Sequence, residues 1–169
     1  MTLNFPVQSQ EMGDWCWLAV AASVGDFFAG QQRSHLQCNL AQALVSPLPA
    51  GTQCCANPTP NVCDQPGYLS TALSHVNHDN GSDANLALFS KIENEILSGN
   101  PVAMVLVYSG SGVSHVVGVS DAYSTQANQQ FLRVDDPDPA VGNGIIIPYG
   151  GTTYNNTSIS WDRTYFTKP

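Results

Sequence analysis

The hydrophobic pattern of this chain changes at Asn100-Pro101, and that change limits the folds that the chain can adopt. Before this point, apolar residues recur at the three- and four-residue spacing of amphipathic helices. The first such run comprises Trp17, Val20, Ala21, Val24, Phe27 and Phe28. After the break, positions 102–108 form a continuous apolar run, which is typical of a strand buried on both faces.

Four more strands are predicted after that run, at 115–122, 130–135, 144–148 and about 158–166. Three further helices are predicted before the break, at about 36–44, 68–76 and 90–97, with a turn at Asn80-Gly81. Helices in the first half and strands in the second predict an α+β fold, with the helical half packed on an antiparallel sheet. We expect one domain over residues 1–169, with a helical half at about 10–99 and a sheet half at about 100–169.

The chain has five cysteines, and four of them are clustered: these are Cys38, Cys54, Cys55 and Cys63. The cluster predicts two disulfides that staple the irregular, proline-rich segment 47–67, leaving Cys16 as a free thiol. A bridge between the adjacent Cys54 and Cys55 would be strained, so the other two pairings are favoured and both stay open. A zinc site, with His35 as a further ligand, is disfavoured because structural zinc sites usually contain a C-x-x-C pair.

Charge and hydropathy exclude several classes of protein. The net charge is −8 with only five Lys and Arg, and no basic cluster is present, so we expect no nucleic-acid partner. The longest apolar run is too short to cross a bilayer. No signal peptide is visible, yet disulfides indicate an oxidising compartment, so we expect a secreted or exported protein. We expect no cofactor and no bound metal, and nothing in the sequence indicates an oligomeric state.

Cys16 is predicted to lie in the first turn of the first helix, with Asp14 as the N-cap and Gly30 as the C-terminal stop. The helix dipole and the unpaired amides at a helix N-terminus stabilise a thiolate, which is what a nucleophilic cysteine needs. The charge of Asp14 opposes this effect. A cationic partner, such as a histidine, is therefore required further along the chain.

His115 begins a predicted strand directly after a Gly/Ser turn, which places it at the rim of the sheet. The next strand is followed by an Asp- and Pro-rich segment at 135–139, from which one aspartate can face His115. A thiol, an imidazole and a carboxylate supply a nucleophile, a base and a group that orients the base. Gln10, in an extended approach to the helix, can donate its amide N–H to an oxyanion, together with the N–H of Cys16.

Each of these residues also has an ordinary structural interpretation. A lone cysteine is often a small buried hydrophobe, a lone histidine is often hydrogen-bonded near a strand end, and Asp and Pro are common in turns. The chain nevertheless contains all four residue types that the proposed chemistry needs, in the order glutamine, cysteine, histidine, aspartate. Their joint occurrence favours the catalytic interpretation.

In that order, and with Trp17 directly after Cys16, the residues resemble the papain-like cysteine peptidases. The similarity is to compact bacterial branches: exported effector and toxin peptidases, and the leader-peptide peptidase domains of bacteriocin exporters. The matching stretches are 10–22, 54–69, 92–107, 115–119 and 134–137. The resemblance implies a papain-like fold. One departure is Leu18, where these families often carry Ala.

The resemblance also implies roles for individual residues. Cys16 would be the nucleophile, His115 the general base and acid, and Gln10 the oxyanion donor. The third member of the catalytic triad, after the cysteine and the histidine, would be Asp136. This residue is the Asp of an Asp-Pro step, where plant-type papains have Asn. Asp135 is the alternative, because the pleat of the strand decides which aspartate points at the histidine.

The sequence therefore predicts an exported thiol peptidase, an effector or toxin domain, that cleaves protein or peptide substrates through an acyl-enzyme on Cys16. The same residues can also carry out deamidation, transamidation or acyl transfer, since the sequence does not show whether water or an amine attacks the acyl-enzyme. A third hypothesis is a binding or toxin-delivery module whose catalytic residues are vestigial.

Overall fold

The computed structural model describes residues 2–56 and 60–169 and divides them into helices and strands. The helices are α1 (Cys16–Phe28), α2 (Gln37–Leu44), α3 (Pro60–Cys63), α4 (Leu69–His75) and α5 (Phe89–Leu97). The strands are β1 (Asp79–Ala84), β2 (Val102–Tyr108), β3 (Ser114–Ser124), β4 (Gln130–Asp135), β5 (Asn143–Pro148), β6 (Thr153–Tyr154) and β7 (Thr157–Thr167). The predicted α+β class is confirmed. No helix in the described ranges is both long enough and apolar enough to span a membrane.

The strands form an antiparallel sheet in the order β1-β7-β2-β3-β4-β5, and β6 pairs with β7. Strand β2 lies between β3 and β7, and its side chains alternate between the two faces of the sheet. Ala103 packs with α1 on one face, whereas Met104 and Leu106 pack with α5 on the other. Both faces are covered, which explains why this strand is a continuous apolar run.

Helix α1 is deeply buried in the core. Leu18, Ala21 and Ala22 have no exposed surface, and the helix is buried continuously from Trp17 to Asp26. It packs against α2 and α4 on one side and against β3 on the other. A helix that is covered nearly all round has to be apolar nearly all round, which explains the alanine- and valine-rich sequence that follows Cys16.

Two disulfides hold the predicted irregular loop, as expected from the cysteine cluster. The first disulfide joins Cys38 to Cys55 and the second joins Cys54 to Cys63, which is one of the two favoured pairings. All four clustered sulfurs are thereby used, which rules out the zinc alternative, and Cys16 is the free cysteine. The short helix α3 within the loop was not predicted. Positions 57–59 of the predicted loop lie outside the described residues.

The turn predicted at Asn80-Gly81 is wrong, because both residues lie within strand β1. Gly81 has a φ of 87°, and the pairing of β1 with β7 is irregular between Asp79 and Ser82. Strand β1 lies at the edge of the sheet and is mostly exposed. Backbone hydrogen bonds to β7 therefore hold this strand without the apolar alternation that normally reveals a strand.

Candidate active site

Cys16 is the first residue of α1, as predicted, but Asp14 does not cap the helix. Trp15 occupies the N-cap position, and no side chain caps the helix there. Instead, the carboxylate of Asp64 accepts hydrogen bonds from the N–H groups of Gly13 at 3.2 Å and Asp14 at 2.7 Å. The segment in front of the free thiol is thus fixed by a residue that directly follows the second disulfide.

The two tryptophans on either side of the free cysteine attach α1 to that same segment. The indole N–H of Trp15 donates to the carbonyl of Cys63 at 2.7 Å, and that of Trp17 donates to the carbonyl of Gln65 at 3.2 Å. Gly67 lies on the indole ring of Trp17, where an added Cβ would be 2.4 Å from a ring carbon. The disulfide-stapled loop therefore determines where the start of α1 lies.

His115 lies at the rim of the sheet, one residue into β3, and contacts Asp136. Its Nε2 is 2.7 Å from Oδ1 of Asp136, which directly follows β4 and has a fully buried side chain. That carboxylate also accepts hydrogen bonds from the N–H of Asp138 at 2.7 Å and from the hydroxyl of Tyr154. Because both oxygens are occupied, the orientation of the carboxylate toward the imidazole is fixed.

Asp135, the alternative to Asp136 as the partner of His115, contacts Gly144 instead. Its carboxylate accepts a hydrogen bond from the N–H of Gly144 at 2.9 Å. Burial raises the pKa of Asp135, although the hydrogen bond from Gly144 opposes the shift. Of the two aspartates that the sequence leaves open, Asp136 is the one that the structure brings to His115.

The thiol of Cys16 is the third group at this position: it lines the same cleft as His115 and is close enough to raise the pKa of that ring. Nδ1 is the ring nitrogen left for the thiol, because Nε2 is engaged by Asp136. The ring of Tyr108 stacks beside the imidazole, with the ring centroids 6.2 Å apart. Burial lowers the pKa of His115, but the hydrogen bonds and negative charges of Asp136 and Cys16 outweigh burial and raise that pKa to about 9.

This raised pKa predicts that the folded protein loses stability as the pH rises. The pKa of His115 is about 9 in the folded state, against about 6.5 for an unperturbed histidine, so the folded state holds the proton more tightly. The resulting stabilisation is complete below about pH 6.5 and is lost as the pH rises through about 9, amounting to a few kcal/mol. Urea unfolding at several pH values should show this loss in the wild type and not in His115→Gln; parallel pH profiles of the two proteins would contradict it.

Gln10 lies in the extended segment before α1. Its backbone N–H donates to the carbonyl of Pro137 at 2.8 Å, which ties this segment to the turn that carries Asp136. Its side-chain amide donates to the carbonyl of Gly13 at 2.7 Å, and its Oε1 is buried without a hydrogen-bond partner in the described part of the chain. One amide N–H is therefore used within the protein, and Gln10 does not line the cleft that contains Cys16 and His115. The role of Gln10 as an oxyanion donor stays a prediction.

A cleft of about 680 Å³ runs past Cys16 and His115. The helical half forms one wall with Trp17 and the segment 66–70, and the sheet forms the other wall with residues of β2, β3 and β7. Tyr68 and Val113 lie on opposite walls and are 79% and 58% exposed. The cleft thus combines a thiol and an imidazole with exposed apolar side chains that a ligand can cover.

Tyr154 is a residue of this site that the sequence analysis misses. It belongs to the two-residue strand β6, is almost fully buried, and its hydroxyl donates to Oδ2 of Asp136. Burial and the neighbouring Asp136 raise the pKa of Tyr154, so the hydroxyl keeps its proton and acts as the donor. No motif surrounds this tyrosine, and only the folded chain brings it to the carboxylate.

Replacing Tyr154 with phenylalanine is expected to lower the free energy of unfolding by about 1–3 kcal/mol, because a buried carboxylate oxygen of Asp136 loses its donor. Any reaction that uses His115 should also slow by about tenfold, since the orientation of the imidazole becomes less restricted. Tyr149→Phe is the matched control, because its hydroxyl donates to the carbonyl of Ala87 at 2.8 Å, away from the site. Equal effects of the two substitutions on rate would contradict a positioning role for Tyr154.

No protein-family model matches the chain, and a search of curated proteins finds no significant similarity. A functional assignment therefore has to be argued from the geometry of the chain's own residues.

Proposed function

We propose that the chain is a cysteine peptidase with a papain-like fold, which hydrolyses peptide bonds through an acyl-enzyme on Cys16. The observation that carries the proposal is the series of contacts Cys16–His115–Asp136. A free thiol at a helix N-terminus lies beside an imidazole in the same cleft, and Nε2 of that imidazole lies 2.7 Å from a fully buried carboxylate. These three groups correspond to nucleophile, base and orienting group.

In the proposed reaction, His115 accepts the proton of Cys16 and the thiolate attacks the carbonyl carbon of the substrate. The carbon–nitrogen bond breaks as the imidazolium of His115 gives its proton to the leaving amine, and a thioester is left on the sulfur. A water molecule then attacks the thioester, and His115 takes its proton. The carboxylic acid leaves, and the proton returns to the thiol.

Three further groups support these steps. Asp136 holds the imidazole in the orientation and tautomer in which Nδ1 faces the thiol. The N–H of Cys16 is available to the developing oxyanion, because the first residue of a helix has no intrahelical acceptor for its N–H. We assign the second oxyanion contact to the amide N–H of Gln10 that does not donate to Gly13.

The papain-like fold is proposed from how the two walls of the cleft are built. The helix that begins with the cysteine belongs to one wall, and the antiparallel sheet that carries the histidine forms the other. The two disulfides support export to an oxidising compartment. Together with the resemblance of the sequence to exported bacterial peptidases, they support an effector or toxin domain as the biological context.

The test is to incubate the protein with a denatured protein substrate in heavy-oxygen water and to analyse the substrate by mass spectrometry. Hydrolysis gives new chain ends whose carboxylates carry the heavy oxygen. Deamidation changes side chains without cleavage, and transamidation or acyl transfer adds the mass of an amine. We expect cleavage with heavy oxygen at the new carboxyl ends; an unmodified substrate would contradict the proposal and favour a binding module.

A further inference from the structure

We propose that Arg163 selects substrates with an acidic side chain, glutamate above all, within about three residues of the cleaved bond. This inference rests on the proposed peptidase function. It names a residue outside the Cys16–His115–Asp136 contacts and a substrate class that those contacts do not define.

Arg163 ends a row of residues that crosses the sheet from the position next to His115. Val116 pairs with Val105 of β2, and Val105 pairs with Arg163 of β7. Directly paired residues point to the same face of a sheet, and all three of these residues line the cleft. Strands are about 4.8 Å apart, so Arg163 lies about two strand spacings from Val116. An extended peptide covers that span with about three residues.

The charge of Arg163 is not used within the described ranges, 2–56 and 60–169. The side chain of Arg163 makes one hydrogen bond in these ranges, a long one of 3.4 Å from Nη1 to the hydroxyl of Ser82. No carboxylate in these ranges forms an ion pair with it. By contrast, Lys91 forms an ion pair with Asp83 at 2.8 Å. In the described part of the chain, Arg33, Arg133 and Lys168 also form no ion pair, so what distinguishes Arg163 is its position in the cleft.

The surroundings of Arg163 fit a side chain that is aliphatic near its backbone and charged at its end. Val105, which lies between Val116 and Arg163 in this row, is partly exposed and supplies apolar surface beside Arg163. A guanidinium has five N–H donors and binds a carboxylate through two parallel hydrogen bonds. Glutamate offers both the methylene groups and the carboxylate.

Two carboxylates, those of Asp14 and Asp162, also line the cleft, and their negative charges repel an acidic substrate. Both residues are exposed, whereas Arg163 is partly buried. Charges in water are screened more strongly than charges that are partly removed from it. Arg163 is also the one Lys or Arg among the described residues that line the cleft. The guanidinium of Arg163 therefore sets the charge preference for the substrate side chain that lies against it.

The test compares kcat/KM for peptide pairs that differ only by Glu or Gln at each of the three positions on the acyl side of the cleaved bond. At one position we expect the wild type to favour Glu by about tenfold. Arg163→Gln should remove this preference, and Arg163→Glu should favour a Lys peptide instead. Lys168→Glu is the matched control, because it changes the net charge by the same amount at an exposed residue after β7.

The alkylation rate of Cys16 in each variant shows whether the site is intact, so that loss of folding is not mistaken for loss of selectivity. Equal rates for Glu and Gln peptides in the wild type, or an unchanged preference in Arg163→Gln, would overturn the inference and leave the peptidase proposal standing. Hydrolysis of none of the peptides by the wild type would overturn the peptidase proposal, and the role of Arg163 with it.

Discussion

Replacing Cys16 with alanine is expected to abolish peptide hydrolysis, lowering kcat by at least about four orders of magnitude. The proposed acyl-enzyme forms on this sulfur, and the other four cysteines are held in disulfides, so no second thiol can replace it. The fold should persist, because alanine is a good helix former at the start of α1. The measurement is the initial rate of cleavage of a labelled protein substrate at equal enzyme concentration.

Cys16→Ser is the control for this substitution, because it preserves size and hydrogen bonding while exchanging the sulfur for a much less acidic hydroxyl. We expect Cys16→Ser to be folded and nearly as inactive as Cys16→Ala. Retention of more than about a tenth of the wild-type rate by Cys16→Ala would show that hydrolysis does not proceed through this residue.

Replacing His115 with glutamine is expected to lower kcat by about two to four orders of magnitude and to change KM little. The amide of glutamine can still hydrogen-bond to Asp136, but it cannot exchange a proton with the thiol or with the leaving amine. The rate loss should therefore appear in the chemical step. Steady-state kinetics with one good peptide substrate separates kcat from KM.

The matched control is His75→Gln, at an exposed histidine in the last turn of α4. This substitution makes the same chemical change away from the cleft, and we expect rates within about twofold of the wild type. Equal losses in the two variants would contradict a specific role for His115. An effect of His115→Gln on KM alone would identify His115 as a substrate-binding residue rather than a base.

The sequence was most informative where one physical constraint dominates a segment. Strand β2 is covered on both faces and is therefore uniformly apolar, and its predicted ends agree with the structure. Helix α1 is buried nearly all round, and its apolar run likewise revealed it. The cysteine count also predicted two disulfides and one free thiol, because four of the five cysteines are close together in the chain.

The sequence was least informative where contacts between distant residues decide the local structure. Strand β1 depends on its neighbour β7, so its own residues suggested a turn. The helix start is fixed by Asp64, some 50 positions away, rather than by the nearby Asp14. Likewise, only the folded chain distinguishes Asp136 from Asp135 and brings Tyr154 to the carboxylate. The disulfide pairing was open for the same reason.

The central claim is that Cys16 and His115 form a reactive thiolate–imidazolium pair. The most direct test is the rate of Cys16 alkylation by iodoacetamide as a function of pH, in the wild type and in His115→Gln. Cys16 is the one free cysteine, so a single added mass reports the reaction. We predict rapid alkylation of the wild type at about pH 6, and reaction of the variant only above about pH 8, as for an ordinary thiol. Identical pH profiles for the two proteins, with both reacting only above about pH 8, would contradict the ion pair and with it the proposed peptidase.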